Sequence, residues 1–86
     1  MYKIYFTKQA MKDRTRIARA GLERRTKALL DVLAKNPFQT PPPYEKLVGD
    51  LSGYYSRRIN LQHRLVYSVD QEHQTVKILR LWTHYE

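Results

Sequence analysis

At 86 residues the chain is expected to form one small domain, residues 1–86, and folding at this size hides only about 60 to 65% of the surface the unfolded chain exposes, so its stability is modest. With 16 Lys and Arg against 8 Asp and Glu, the formal charge of +8 favours an anionic partner, whether nucleic acid, membrane surface or acidic protein. The sequence has no cysteine, which excludes a disulfide framework and a thiolate zinc site, and its three histidines, His63, His73 and His84, lack the spacing of a local metal site, so no metal and no other cofactor is expected.

The first residues, Met1-Tyr2-Lys3-Ile4-Tyr5-Phe6, carry a lysine and are too short for the hydrophobic region of a signal peptide. No apolar run approaches the roughly 20 residues that cross a bilayer. A cytoplasmic protein without a membrane span is expected. Tyr2, Ile4 and Phe6 alternate with Lys3 and Tyr5, which predicts a first strand with one buried face. Thr7 is placed to cap the helix that follows, where Ala10, Met11, Arg14, Ile17 and Ala18 recur at three- and four-residue steps on a narrow apolar side. Gly21 breaks the pattern, and Leu22, Thr26, Leu29, Leu30 and Leu33 then form a clearer stripe. Two helices in a hairpin fit best, the second stopped at Asn36-Pro37 because a residue before proline is pushed out of the helical region.

Eight of the 16 basic residues fall between Lys8 and Lys27, on these helices. Two readings stand: a solvated helix face, or a docking surface for a large polyanion. Phe38 to Tyr44 is a loop, stiffened by Pro41-Pro42-Pro43, and its stiffness would hold Glu45-Lys46-Leu47 in a fixed place beside the sheet. Around a polar turn at Asn60-Leu61-Gln62, aromatic and β-branched residues predict two paired strands. Alternation puts Tyr54, Ser56 and Arg58 on one face of the first and Arg64, Val66 and Ser68 on one face of the second, leaving Tyr55, Ile59, Leu65, Tyr67 and Val69 to face a core. After the turn Asp70 to Gln74, Thr75 to Thr83 reads as a final strand. The expected fold is α+β: an N-terminal strand, a two-helix hairpin, and a three-stranded antiparallel meander, in the order β-α-α-β-β-β.

Cleavage of RNA through its ribose 2′-hydroxyl needs a base, an acid for the leaving 5′-oxygen, and cations for the phosphorane. Glu45, His84, Arg58 and Arg64 are residues of those types, with arginine's fork suited to two phosphate oxygens and histidine suited to proton transfer near neutrality. An RNA-binding module would need only the arginines and aromatics, so composition leaves both readings open.

The run Leu51-Ser52-Gly53-Tyr54-Tyr55, then Ser56-Arg57-Arg58-Ile59 and His63-Arg64-Leu65-Val66-Tyr67, with the terminal His84-Tyr85 and the Asn36-Pro37-Phe38 helix end, resembles the Txe/YoeB family of bacterial toxins, within the wider RelE/ParE superfamily. The resemblance covers the whole length. It implies a small fold similar to microbial ribonucleases and a metal-independent endoribonuclease that cuts messenger RNA in the ribosomal A site. Matched residue by residue, Glu45 stands as general base, Arg64 as the transition-state arginine, His84 as general acid, Arg58 as a phosphate contact, and Tyr85 as the residue that packs on or orients the substrate. The partners implied are ribosome-bound messenger RNA, ribosomal RNA on the basic helices, and a cognate antitoxin protein; homodimers occur in relatives. The approach to Glu45 departs from the family, with Pro41-Pro42-Pro43-Tyr44 in place of a glycine- and lysine-rich stretch. The competing class is a ParE-like toxin directed at DNA gyrase, with the same fold and no RNA chemistry; the Glu45, Arg64 and His84 set argues against it.

Overall fold

A computed structural model describes residues 1–82 of the chain. Strand β1 (Lys3–Phe6) leads through Thr7 into helix α1 (Lys8–Arg19). The Thr7 side chain accepts from the amide of Ala10 at 3.0 Å and donates to the carbonyl of Leu79 at 2.9 Å, so one hydroxyl caps the helix and ties it to the sheet. Gly21, with φ of +72°, lets the chain reverse into α2 (Glu23–Lys35). Leu29, Leu33 and Thr26 are the buried residues of α2, as its stripe predicts. On α1 the prediction holds for Ala10 and Ile17 but not for Met11, Arg14 and Ala18, which are exposed; the third buried position is Asp13.

The expected meander is present as β3 (Tyr55–Arg58), β4 (Arg64–Asp70) and β5 (Thr75–Arg80), paired antiparallel in sequence. Two features extend it. A two-residue strand β2 (Glu45–Lys46) pairs antiparallel with β3, and β1 pairs parallel with β5, giving a five-stranded sheet in the order β1-β5-β4-β3-β2. Sequence reading leaves the Glu45 segment as a loop because two residues carry no alternation to detect; its pairing comes from the neighbouring strand.

The core lies between the helices and one sheet face, where Ile17, Leu33, Ile59, Leu65, Tyr67, Val76 and Ile78 cluster. Ile59, Leu65 and Tyr67 are buried and Tyr55 and Val69 pack against them, in agreement with the predicted parity. The Asn60 to Gln62 turn is held by the Asn60 side chain, which accepts from the amides of Gln62 and His63. No helix among the described residues is long and apolar enough to cross a membrane.

Candidate active site

Three of the residues selected from the sequence are described, Glu45, Arg58 and Arg64; Glu45 and Arg64 meet on the sheet face away from the core, and Arg58 stands in strand register with Arg64. Glu45 of β2 is in register with Ser56 of β3, Ser56 with Val66 of β4, and Arg58 of β3 with Arg64 of β4. Residues opposite one another on antiparallel strands project to the same side, so Glu45, Ser56, Arg58 and Arg64 share one face. The Arg64 guanidinium donates through Nη2 to Glu45 Oε1 at 3.1 Å and through Nη1 to Ser56 Oγ at 3.0 Å. Its side chain is only 13% exposed whereas that of Glu45 is 63% exposed. A rigid, held cation therefore meets a carboxylate open to water. Arg58 is exposed, and it borders a shallow depression with Arg25, Ala28 and Leu29.

His84 and Tyr85, selected as general acid and substrate contact, lie outside the described residues. The chain leading to them is firmly held. Asp13, fully buried on α1, accepts through Oδ2 from Arg80 Nε at 2.9 Å and from the amides of Leu81 at 2.9 Å and Trp82 at 3.1 Å, and through Oδ1 from Gln9 at 3.2 Å. Burial pushes its carboxyl upward, but the bonds from Arg80, Leu81, Trp82 and Gln9 outweigh that and hold it below the usual 3.8. The Trp82 ring stacks on His63 at 3.8 Å between centroids.

Sequence reasoning missed three supporting residues, Ser56, Arg57 and Asp13. Arg57 faces the core and has no exposed surface. It donates through Nε to the Tyr67 hydroxyl at 3.1 Å, through Nη1 to the Pro42 carbonyl at 2.6 Å, and through Nη2 to the carbonyls of Pro37 at 3.0 Å and Gln39 at 2.9 Å. The signal was legible: Arg57 falls between Tyr55 and Ile59 on the apolar parity, and Asp13 falls between Ala10 and Ile17 on the apolar stripe of α1. Among the described residues, no group of three or more His, Asp or Glu side chains could hold a metal ion.

Chemically, the arrangement can place an anion against Arg64 with the Glu45 carboxylate at the edge of the same site. A groove of about 670 Å³ lies elsewhere, between α1 and α2, lined by Arg14, Arg19, Lys27 and Leu30 among others.

Comparison with known proteins gives the family. Residues 6–85 match the model of the YoeB-like toxin of bacterial type II toxin-antitoxin systems. A Toxin YoeB from Synechocystis is 46% identical over 48 residues, a match that spans 56% of this chain and 56% of that protein. Toxin YoeB from Streptomyces coelicolor is 40% identical over 67 residues, covering 76% of this chain and 80% of the relative. Among solved structures, a YoeB/ParE toxin from Agrobacterium tumefaciens superposes with a TM-score of 0.87 at 30% identity, over 96% of this chain and 99% of that one. A heterotetrameric YoeB-YefM toxin-antitoxin complex from Staphylococcus aureus contains a chain with a TM-score of 0.81 at 35% identity, over 99% of both chains. A YoeB dimer from the same organism gives 0.83 at 36% identity, over 98% of both. With a family match over residues 6–85 and a superposition on a solved YoeB/ParE toxin along 96% of its length, the chain belongs to the YoeB-like toxins of bacterial type II toxin-antitoxin systems.

Proposed function

We propose that this toxin is a metal-independent endoribonuclease that cuts messenger RNA in the ribosomal A site. The observation that carries the reading is the Glu45 to Arg64 contact of 3.1 Å, with Arg64 steadied by Ser56. A carboxylate and a guanidinium lie within the span of one ribose-phosphate unit. Glu45 takes the proton from the 2′-hydroxyl, the 2′-oxygen bonds to phosphorus, and Arg64 and Arg58 hold the phosphate oxygens as charge builds on them. The bond from phosphorus to the 5′-oxygen then breaks, and His84 gives that oxygen a proton, with Tyr85 beside it on the substrate. The products are a 2′,3′-cyclic phosphate, opened by water to a 3′-phosphate, and a 5′-hydroxyl. Every role is filled by a side chain, so the reaction asks nothing of a metal.

The YoeB-YefM complex and the YoeB dimer of a relative support two further expectations for this chain, an antitoxin partner and a homodimer. A cytoplasmic site of action, on ribosomes, goes with the same reading. The test uses purified ribosomes carrying a defined message, with 3′ ends mapped after treatment in the presence of a chelator. Cleavage in the A site, abolished by a 2′-deoxy substitution at the scissile nucleotide, is expected. Continued cutting of the deoxy substrate would refute the 2′-hydroxyl mechanism, and an intact message with inhibited gyrase supercoiling would replace the nuclease by a gyrase-directed toxin.

A further inference from the structure

We infer that Arg57 is a positioning residue for Glu45, setting the place of the carboxylate from the opposite side of the sheet. The inference rests on the role proposed for Glu45. Arg57 is fully buried, so it touches no substrate. Among the described residues no carboxylate pairs with it; its acceptors are the carbonyls of Pro37, Gln39 and Pro42 and the Tyr67 hydroxyl, and its guanidinium carbon lies 5.1 Å from the Tyr44 ring centroid. A buried cation is an expensive way to fill a core, since an apolar side chain of similar volume usually serves stability as well or better. What a guanidinium adds is direction: a planar fork that fixes several acceptors at once, which a lysine cannot reproduce.

All three carbonyls belong to the segment between α2 and β2, whose four prolines, Pro37, Pro41, Pro42 and Pro43, have no amide to donate to a ladder. Arg57 supplies the bonds that a strand partner would otherwise give. Pro42 is three residues before Glu45, so the last anchored carbonyl is within about 10 Å of chain from the carboxylate's own backbone. Glu45 is itself in register with Ser56, the neighbour of Arg57. Two adjacent residues of β3 thus hold the two halves of the site: Ser56 on the front steadies Arg64, and Arg57 on the back holds the segment that delivers Glu45.

The test compares Arg57→Met, Arg57→Lys and Tyr67→Phe, the last removing one acceptor of Arg57, and with it the hydroxyl's own donation to the Pro37 carbonyl, while keeping the ring. Two measurements are made: single-turnover cleavage on programmed ribosomes, alone and in a Glu45→Gln background, and hydrogen exchange at the Leu47 amide, which donates to Tyr54 at 2.9 Å. Loss of about 1 Å of placement predicts a rate about 100-fold lower for Arg57→Met with little change in KM, a smaller loss for Tyr67→Phe, and no further loss when Glu45 is already Gln. Exchange at Leu47 is expected to quicken about tenfold while β4 and β5 amides hold. Unchanged exchange at Leu47 in a folded Arg57→Lys or Tyr67→Phe protein would overturn the inference by itself. Rate losses that multiply in the double variant would overturn it too, since Arg57 would then act by another route. If Glu45→Gln leaves cleavage intact, the base assignment falls instead, and with it the catalytic consequence of Arg57.

Discussion

Replacing Asp13 should be the most damaging single change on α1, and its cost can be worked from the contacts. The carboxylate has no exposed surface and accepts from Arg80, from the amides of Leu81 and Trp82, and from Gln9. Removing one partner of a buried ion pair costs about 3–5 kcal/mol. The Arg80 side chain is 29% exposed and can recover some water, which puts Asp13→Ala near the low end, about 3 kcal/mol, including the stranded Leu81 amide. For a domain of this size that is a fall in Tm of about 12–24 °C, a large share of a total stability of about 4–13 kcal/mol. Thermal unfolding followed by circular dichroism and urea midpoints at constant slope would measure it. The pH dependence gives a second check: a carboxyl held below its unfolded value of 3.8 stabilises the fold fully above that value, and the contribution is lost as pH falls through the lower folded pKa. The gap between wild type and Asp13→Asn should therefore narrow under acid conditions. A Tm within a degree or two of wild type for Asp13→Ala, or a gap that widens toward low pH, would refute the reasoning.

Other changes separate chemistry from folding. Glu45→Gln should slow cleavage by about 10²–10⁴ as expected for loss of a general base, with ribosome binding retained in a sedimentation assay. Arg64→Lys should cost about 10²–10³ in rate, because an ammonium cannot span Ser56 and a phosphate as the fork does; full activity would remove Arg64 from the transition state. Thr7→Ala should lower stability by about 1–2 kcal/mol in a denaturant titration, since the hydroxyl caps α1 and also bonds Leu79. If the basic helix face docks on RNA, Arg24→Ala should shallow the slope of log K against log salt by about 0.7–0.9, and an unchanged slope would make that face merely solvated.

The parts of the molecule that could be read from the sequence are those with a period. Alternation in Tyr2 to Phe6 and in Arg64 to Val69, and the stripe from Leu22 to Leu33, give the strands, the second helix and most of the core. Composition made Glu45 and Arg64 legible as chemical types, and only the family resemblance put them in one site, because their contact depends on a two-residue strand pairing with β3. Arg57 and Asp13 broke the pattern in the other direction. Each is a charged residue at a core position, where hydrophobicity gives no support, and each is stabilised by backbone groups far along the chain, Pro37 to Pro42 for Arg57 and Leu81 to Trp82 for Asp13. Such acceptors and donors become visible only once the chain is folded.

The two halves of the site are held with different firmness, and the difference suits the proposed reaction. An ion pair in which one partner is largely exposed is worth only about 0–1 kcal/mol, so the Glu45 to Arg64 contact opens at little cost. The bond that Arg64 donates to Ser56 keeps the guanidinium aimed when it does. An arriving phosphate can then take the place of the Glu45 oxygen on Arg64, which frees the carboxylate as a base at the moment its substrate is bound. The exposed side of Glu45 also leaves water in the site, where charge stabilisation is weak. A surface that excludes that water would strengthen every contact there, which is the physical case for the ribosome dependence proposed for this chain.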